Sequence, residues 1–278
     1  MADRFGNHRV LVVAGSDSGG GAGIQADIKT VMALGGYATT AITALTAQNT
    51  VAVEDVHPVP PAFITSQMSA VMGDIGADCI KTGMLYDTAS IAVVAEMMQP
   101  YAQKIPVVID PVMVTQSGHR LLTEMASDRL REVMLPLATL VTPNLPEAEV
   151  LLGRPIDDDE QSMIEAAQEL RELGSQAVLL KGGHGRGDQL VDVLVTASGV
   201  ECWRGERLPT TSTHGTGCTL ASAIATGIAQ GMTLVESVDR ARIYLRRAME
   251  EAKGLGQGAG PVEHSFTVNP SAVGYTPQ

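Results

Sequence analysis

Positive charge is scarce in this 278-residue sequence: 19 Lys and Arg stand against 31 Asp and Glu, a formal net charge of −12. That balance argues against a general nucleic-acid binder, and no clustered Lys/Arg block offsets it. Cysteine is sparse as well. The three present, Cys79, Cys202 and Cys218, are widely spaced and odd in number. They suit neither a disulfide framework nor a zinc cluster, so a reducing cytoplasm is the expected setting. No stretch of about 18 apolar residues could span a bilayer, and the segment MADRFGNHRV has no signal-peptide apolar core. The sequence also lacks a repeat with a period of roughly 20–50 residues and a low-complexity linker. A single domain over residues 1–278 is therefore expected. Apolar residues make up 45% of the chain, near the globular norm, which excludes wholesale disorder.

What is present is an alternation of short apolar runs and helical spacing. Arg9–Ala14 (RVLVVA) reads as a buried strand entering a glycine-rich loop, and Ile24–Leu34 as a helix closed by Gly35-Gly36. Further strands are expected at Tyr37–Ala47, Cys79–Thr82, Pro106–Asp110, Leu140–Thr142 and Ala177–Lys181. Helices are expected at Pro61–Ile75, Thr88–Met98, Glu160–Leu173 and Leu234–Lys253, with Leu190–Val195 and Glu201–Arg204 as a hairpin-like pair. This order implies an α/β fold with a mostly parallel sheet covered on both faces. Ligands gather at the carboxyl ends of such strands, and Gln48, Asp110, Asn144, Glu147 and Lys181 all fall there.

The stretch Thr210–Gly231 (TTSTHGTGCTLASAIATGIAQG) is a second glycine-rich loop running into an apolar helix that starts near Gly217. A helix N-terminus leaves amides unpaired and carries partial positive charge, so Gly215-Thr216-Gly217-Cys218 reads as an anion cradle. The same field would favour a thiolate at Cys218, and the combination suggests phosphoryl transfer. A plain turn before a core helix, with an inert buried cysteine, is the alternative. The first glycine loop contains neither a clean GxGxxG nor a GxxxxGK[ST] pattern. Asn144 and Glu147 have the spacing of a capping box and also bracket a turn where, with Asp110, oxygen ligands could serve Mg²⁺. Lys181 precedes Gly182-Gly183, where it could reach phosphates or snorkel from a strand end. Taken alone, Asp27 reads as a solvated helix carboxylate, His184 and His214 as loop histidines, and Met32, Met68 and Met72 as core filling. Arg186-Gly187-Asp188 reads as a chance tripeptide, and Asp157–Glu160 as a solvated helix start.

Taken together, the motifs VVAGSDSGGGAGIQADIKT (Val12–Thr30), TALTAQNT (Thr43–Thr50), KTGML (Lys81–Leu85), DPVM (Asp110–Met113), TPNLPEAEVLLG (Thr142–Gly153), LLKGGH (Leu179–His184) and HGTGCTLASAIA (His214–Ala225) span nearly the whole chain. In that order the sequence resembles the hydroxymethylpyrimidine/phosphomethylpyrimidine kinases of thiamine biosynthesis, in the ribokinase-like superfamily. The resemblance implies a ribokinase-like three-layer α/β sandwich, commonly a homodimer. It implies transfer of the ATP γ-phosphate to a pyrimidine alcohol and then to the resulting monophosphate, with Mg²⁺. Gln48 would then pair with the aminopyrimidine, with Gly15, Asp27, Met84 and Val112 around it. Gly215, Thr216, Gly217 and Cys218 would form the anion hole, with Cys218 where many sugar kinases carry an Asp base. Asn144 and Glu147 would match the Asn-x-x-Glu magnesium motif, and Lys181 would neutralise phosphate charge. The tail GLGQGAGPVEHS departs from the family's more His-rich run. A pyridoxal kinase on the same fold is the second reading. A ligand-binding protein without catalysis is the third, opposed by the joint presence of Asn144, Glu147, Lys181 and Cys218.

Overall fold

The computed structural model describes residues 8–113, 124–183, 187, 189–269 and 272. Its centre is a nine-stranded sheet: β1 (Arg9–Asp17), β2 (Tyr37–Gln48), β3 (Val53–Pro58), β4 (Cys79–Thr82), β5 (Val107–Ile109), β6 (Leu140–Val141), β7 (Val178–Leu180), β8 (Gln189–Thr196) and β9 (Gly199–Glu206). The order across the sheet is β3-β2-β1-β4-β5-β6-β7-β8-β9. Strands β2 to β7 in that array are parallel; β3 at one edge and β8–β9 at the other are antiparallel.

The side-chain period of a strand sorts the core into two layers. Leu11 and Val13 of β1 join Ile80, Val107, Ile109 and Val178 under α2 (Pro61–Asp74), α3 (Thr88–Met98), α4 (Glu124–Val133), α5 (Leu145–Leu152) and α6 (Glu160–Glu172). Val10, Val12 and Ala14 face the other way, with Cys79, Val108 and Leu179, under α1 (Gly23–Ala33), α7 (Thr216–Ala229) and α8 (Leu234–Glu250). Helices on both faces of a mostly parallel sheet make the three-layer α/β architecture expected from the strand–helix alternation. Among the described residues no helix is long and apolar enough to cross a membrane.

Two elements, β3 and α4, have weak sequence signals and were not expected, and a third, α5, was marked only by the capping-box spacing of Asn144 and Glu147. The edge strand β3 (VEDVHP) has no fully buried residue, so its pattern lacks the apolar alternation of a packed strand. Helix α4 buries only Ala126, Ser127 and Leu130, a stripe too small to stand out. Helix α5 is eight residues long and begins with Leu145-Pro146. Of the three methionines expected in the core, Met68 is buried and Met72 packs against it, but Met32 is 60% exposed on α1. His184, Arg186 and Asp188 lie outside the described residues.

Candidate active site

The carboxyl ends of the parallel strands carry the polar residues. Asp110 follows β5, Thr142 follows β6 and Lys181 follows β7. Lys181 Nζ donates to Asp110 Oδ1 at 3.1 Å and lies 4.0 Å from Glu147 Oε2. Thr142 Oγ1 adds a bond to the same Asp110 oxygen at 3.2 Å. The turn that presents Lys181 is anchored from the next strand: Asp192 accepts from the Gly182 amide and from Arg242 Nε. Burial pushes the Glu147 carboxyl up to about 7 despite the opposing pull of Lys181. Burial also works against the Lys181 charge, but Asp110 and Glu147 outweigh it and hold the ammonium above its ordinary range.

Helix α7 points its first turn at this cluster. Gly215 is its N-cap, at φ +80°, where a Cβ would overlap the Gly21 carbonyl; only glycine fits both conditions. A Cβ on Gly217 would lie 3.4 Å from Asp110 Oδ2 and 3.5 Å from Lys181 Nζ. The cradle Gly215–Cys218 is therefore brought directly against the cation and carboxylate that follow β7 and β5.

One expectation meets an opposing effect here, and a second needs correction. Cys218 sits in the first turn of α7, yet burial pushes its thiol up to about 12, and the charge of Lys81 does not offset this. Desolvation thus opposes the helix field that favours a thiolate, at a residue only partly shielded from solvent. Asp27 is not a solvated helix carboxylate. It is fully buried, bonded by Lys81 Nζ at 2.8 Å and Ser222 Oγ at 2.6 Å. Its second oxygen, Oδ2, has no partner among the described residues. Lys81 is buried as well; burial opposes its charge, but the carboxylates, Asp27 foremost, more than offset this and raise its pKa. The pair lies behind the cradle helix and does not line an open surface.

Gln48 ends β2 beside the first glycine loop. Its backbone is clipped to Ser18 by two bonds, and Thr46 Oγ1 reaches its Oε1 at 3.1 Å. Gly15 lets the chain pass under Met84, whose methyl carbon would lie 2.3 Å from a Cβ there. Val112, half-buried, turns back to donate its amide to the Asp110 carbonyl. His214, expected to be a simple loop histidine, is buried and bonded to Asp17 Oδ2 at 2.8 Å. Asp17 also accepts from the amides of Gly19, Gly21 and Ala22. Asp17 and His214 thus meet beside Gln48, a pairing that sequence reasoning missed; the signal was their position at the mouths of the two glycine loops. The tail reaches the same place: the amides of Gln257 and Gly258 donate to Thr50 Oγ1, and His214 N bonds Gly260 O.

Asn144 and Glu147 do form the capping box of α5, with reciprocal bonds of 2.9 and 2.8 Å. The Asn144 oxygen is thereby engaged, and among the described residues no group of three His, Cys, Asp or Glu could hold a metal ion. The carboxylates of Asp110 and Glu147 are hard oxygen donors of the kind Mg²⁺ takes when it keeps several waters.

A sequence profile described as phosphomethylpyrimidine kinase matches residues 17–263. The hydroxymethylpyrimidine/phosphomethylpyrimidine kinase of Rhizobium meliloti is 45% identical over 256 residues, covering 91% of this chain and 96% of that one. The thiamine biosynthesis bifunctional protein of Geobacter sulfurreducens is 50% identical over 260 residues, covering 94% of this chain. The chain spans about half, 53%, of that longer relative. Among solved structures, the ADP complex of Bacillus subtilis pyridoxal kinase superposes with a TM-score of 0.87 at 37% identity, covering 95% of this chain and 100% of that one.

Proposed function

The chain belongs to the phosphomethylpyrimidine kinase family, and from that premise we infer how its site works. It phosphorylates 4-amino-5-hydroxymethyl-2-methylpyrimidine with ATP, first to the monophosphate and then to the diphosphate, in thiamine biosynthesis. The observation that carries the site assignment is the approach of Gly217 to both Lys181 and Asp110, which joins an anion cradle, a cation and a carboxylate in one place. Phosphoryl transfer is catalysed mainly by positioning and charge stabilisation, and these groups supply both. The amides of Gly215, Thr216, Gly217 and Cys218 hold the migrating phosphoryl group, and Lys181 balances its equatorial charge. Gln48 pairs with the aminopyrimidine edge, with Gly15, Met84 and Val112 around the ring; Asp27 supports the cradle helix from behind through Ser222. Mg²⁺, held by Asp110 and Glu147 with Asn144 fixing Glu147, would supply charge neutralisation on the phosphates. Cys218 contributes its amide and its shape to the cradle as a neutral thiol.

A pyridoxal-type alcohol is the second reading, favoured by the similarity to the Bacillus subtilis pyridoxal kinase. The proposal extends to one domain acting as a homodimer in the cytoplasm, which sedimentation would test for its oligomeric part. Incubation with Mg-ATP and either alcohol, followed by phosphorus NMR, tests the function. Sequential mono- and diphosphate signals from the pyrimidine are expected. Pyridoxal phosphate as the dominant product would favour the second reading, and no product from either alcohol would overturn both. Gln48→Ala should weaken pyrimidine binding while leaving ATP binding nearly intact; calorimetry showing unchanged pyrimidine affinity would remove Gln48 from the pocket.

A further inference from the structure

His214 Nε2 stands between two polar groups, Asp17 Oδ2 at 2.8 Å and the Gln48 carboxamide nitrogen at 3.4 Å. Burial favours protonation of Asp17, but the bond from His214 and those from the loop amides prevail and hold its carboxyl below the usual range. An ionised carboxylate only accepts, so the ring nitrogen facing it carries the proton. That nitrogen then has no lone pair for a Gln48 N–H, and two donors face each other. Turning the Gln48 carboxamide by half a turn resolves the conflict. Its oxygen then becomes a second, longer acceptor for the His214 Nε2–H that Asp17 Oδ2 already takes, its NH₂ donates to Thr46 Oγ1, and the Thr46 hydroxyl donates to the Ser16 carbonyl, 3.1 Å away. The donor clash is removed, with one amide N–H and one oxygen lone pair of Gln48 left over for a ligand.

We propose that Asp17 and His214 are positioning residues for substrate specificity, fixing the carboxamide of Gln48 with its oxygen toward His214. The pocket thereby presents donor and acceptor in one fixed order, which selects a single orientation of a heterocycle carrying an amino group beside a ring nitrogen. His214 immediately precedes the Gly215 cap of α7 and packs on Gly21, where a Cβ would lie 2.4 Å from its Cδ2. The pair that orders Gln48 therefore also joins the first glycine loop to the cradle. This rests on the assignment of Gln48 to the aminopyrimidine, and a double-mutant cycle separates the two claims.

Pyrimidine and ATP affinities would be measured for Gln48→Ala, His214→Leu, His214→Gln and Gln48→Ala/His214→Leu. His214→Leu is expected to weaken pyrimidine binding about tenfold, the scale of one hydrogen bond to a polar ligand group, with ATP affected much less. His214→Gln, which keeps a donor near the position of Nε2, should restore most of the loss. In the Gln48→Ala background the His214→Leu effect should vanish. Nitrogen-15 NMR of the wild-type chain should show His214 protonated on Nε2. Unchanged pyrimidine affinity in Gln48→Ala would overturn both claims. A loss in Gln48→Ala with additive effects in the double variant, or a His214 ring protonated only on Nδ1, would overturn the positioning role alone.

Discussion

Lys181 and Asp110 meet at 3.1 Å although the strands they follow, β7 and β5, are separated by β6. With Glu147 at 4.0 Å and Gly217 beside the pair, this lysine lies against the cradle. Lys181→Gln should lower kcat for both phosphorylations by about 10²–10³, the scale seen on removing one charge-stabilising donor. The pyrimidine KM should change much less, because the charge matters most in the transition state. Steady-state assays with the alcohol and with the monophosphate check this. Near-normal turnover would assign Lys181 to structure.

Cys218 as a neutral thiol predicts that its side chain acts alike in the two reactions. The alcohol needs to lose a proton, whereas the phosphate monoester, with a second pKa of roughly 6, is mostly dianionic already. A thiolate base at Cys218 would therefore make Cys218→Ala selectively harmful to the first transfer. With the thiol pushed up to about 12, comparable losses in both are expected, and no limb from this group in the rate profile between about pH 6 and 9. A loss confined to the alcohol would restore the base role, with ligand binding as the cause of deprotonation.

The buried Lys81–Asp27 pair predicts strong non-additivity. Removing one partner leaves a charge stranded in the core, at a cost of about 3–5 kcal/mol. Lys81→Met and Asp27→Leu should each lower the urea midpoint sharply, while the double variant should be more stable than the sum of the two losses implies. Additive midpoints would mean that the pair contributes independently of its ion contact.

His264 predicts a pH dependence of stability. Its buried ring contacts Thr219 Oγ1 at 2.9 Å, and burial, reinforced by Lys29, pushes its pKa down to about 4. The unfolded chain binds the proton more readily, so the sign is that of a buried neutral histidine. Stability from this group is present above about pH 6.5 and is lost as pH falls toward about 4, by up to about 3 kcal/mol. Thermal melts across that window should show a smaller acid loss in His264→Gln than in the wild-type chain. Identical slopes would remove His264 as a contributor.

The sequence alone determined the layer order and the set of strand-end residues. Apolar runs alternating with helical spacing are local signals, and so are the glycines that cap α1 and α7. Gly215 could be read as a cradle residue because its demand for a left-handed backbone is local. The approach of Lys181 to Asp110 could not be read, since it depends on which strands the parallel order places two apart. The same holds for partners far along the chain: Asp17 with His214 are 197 residues apart, and Asp27 with Ser222 are 195 apart. Each of these four looks solvent-facing or incidental in its own segment. Only packing α1 and α7 on one face of the sheet removes them from water and gives them charged or hydrogen-bonded partners. Cys218 shows the same limit in its ionisation. Its position in a first helical turn is local and favours a thiolate, but desolvation is set by the whole fold and opposes it.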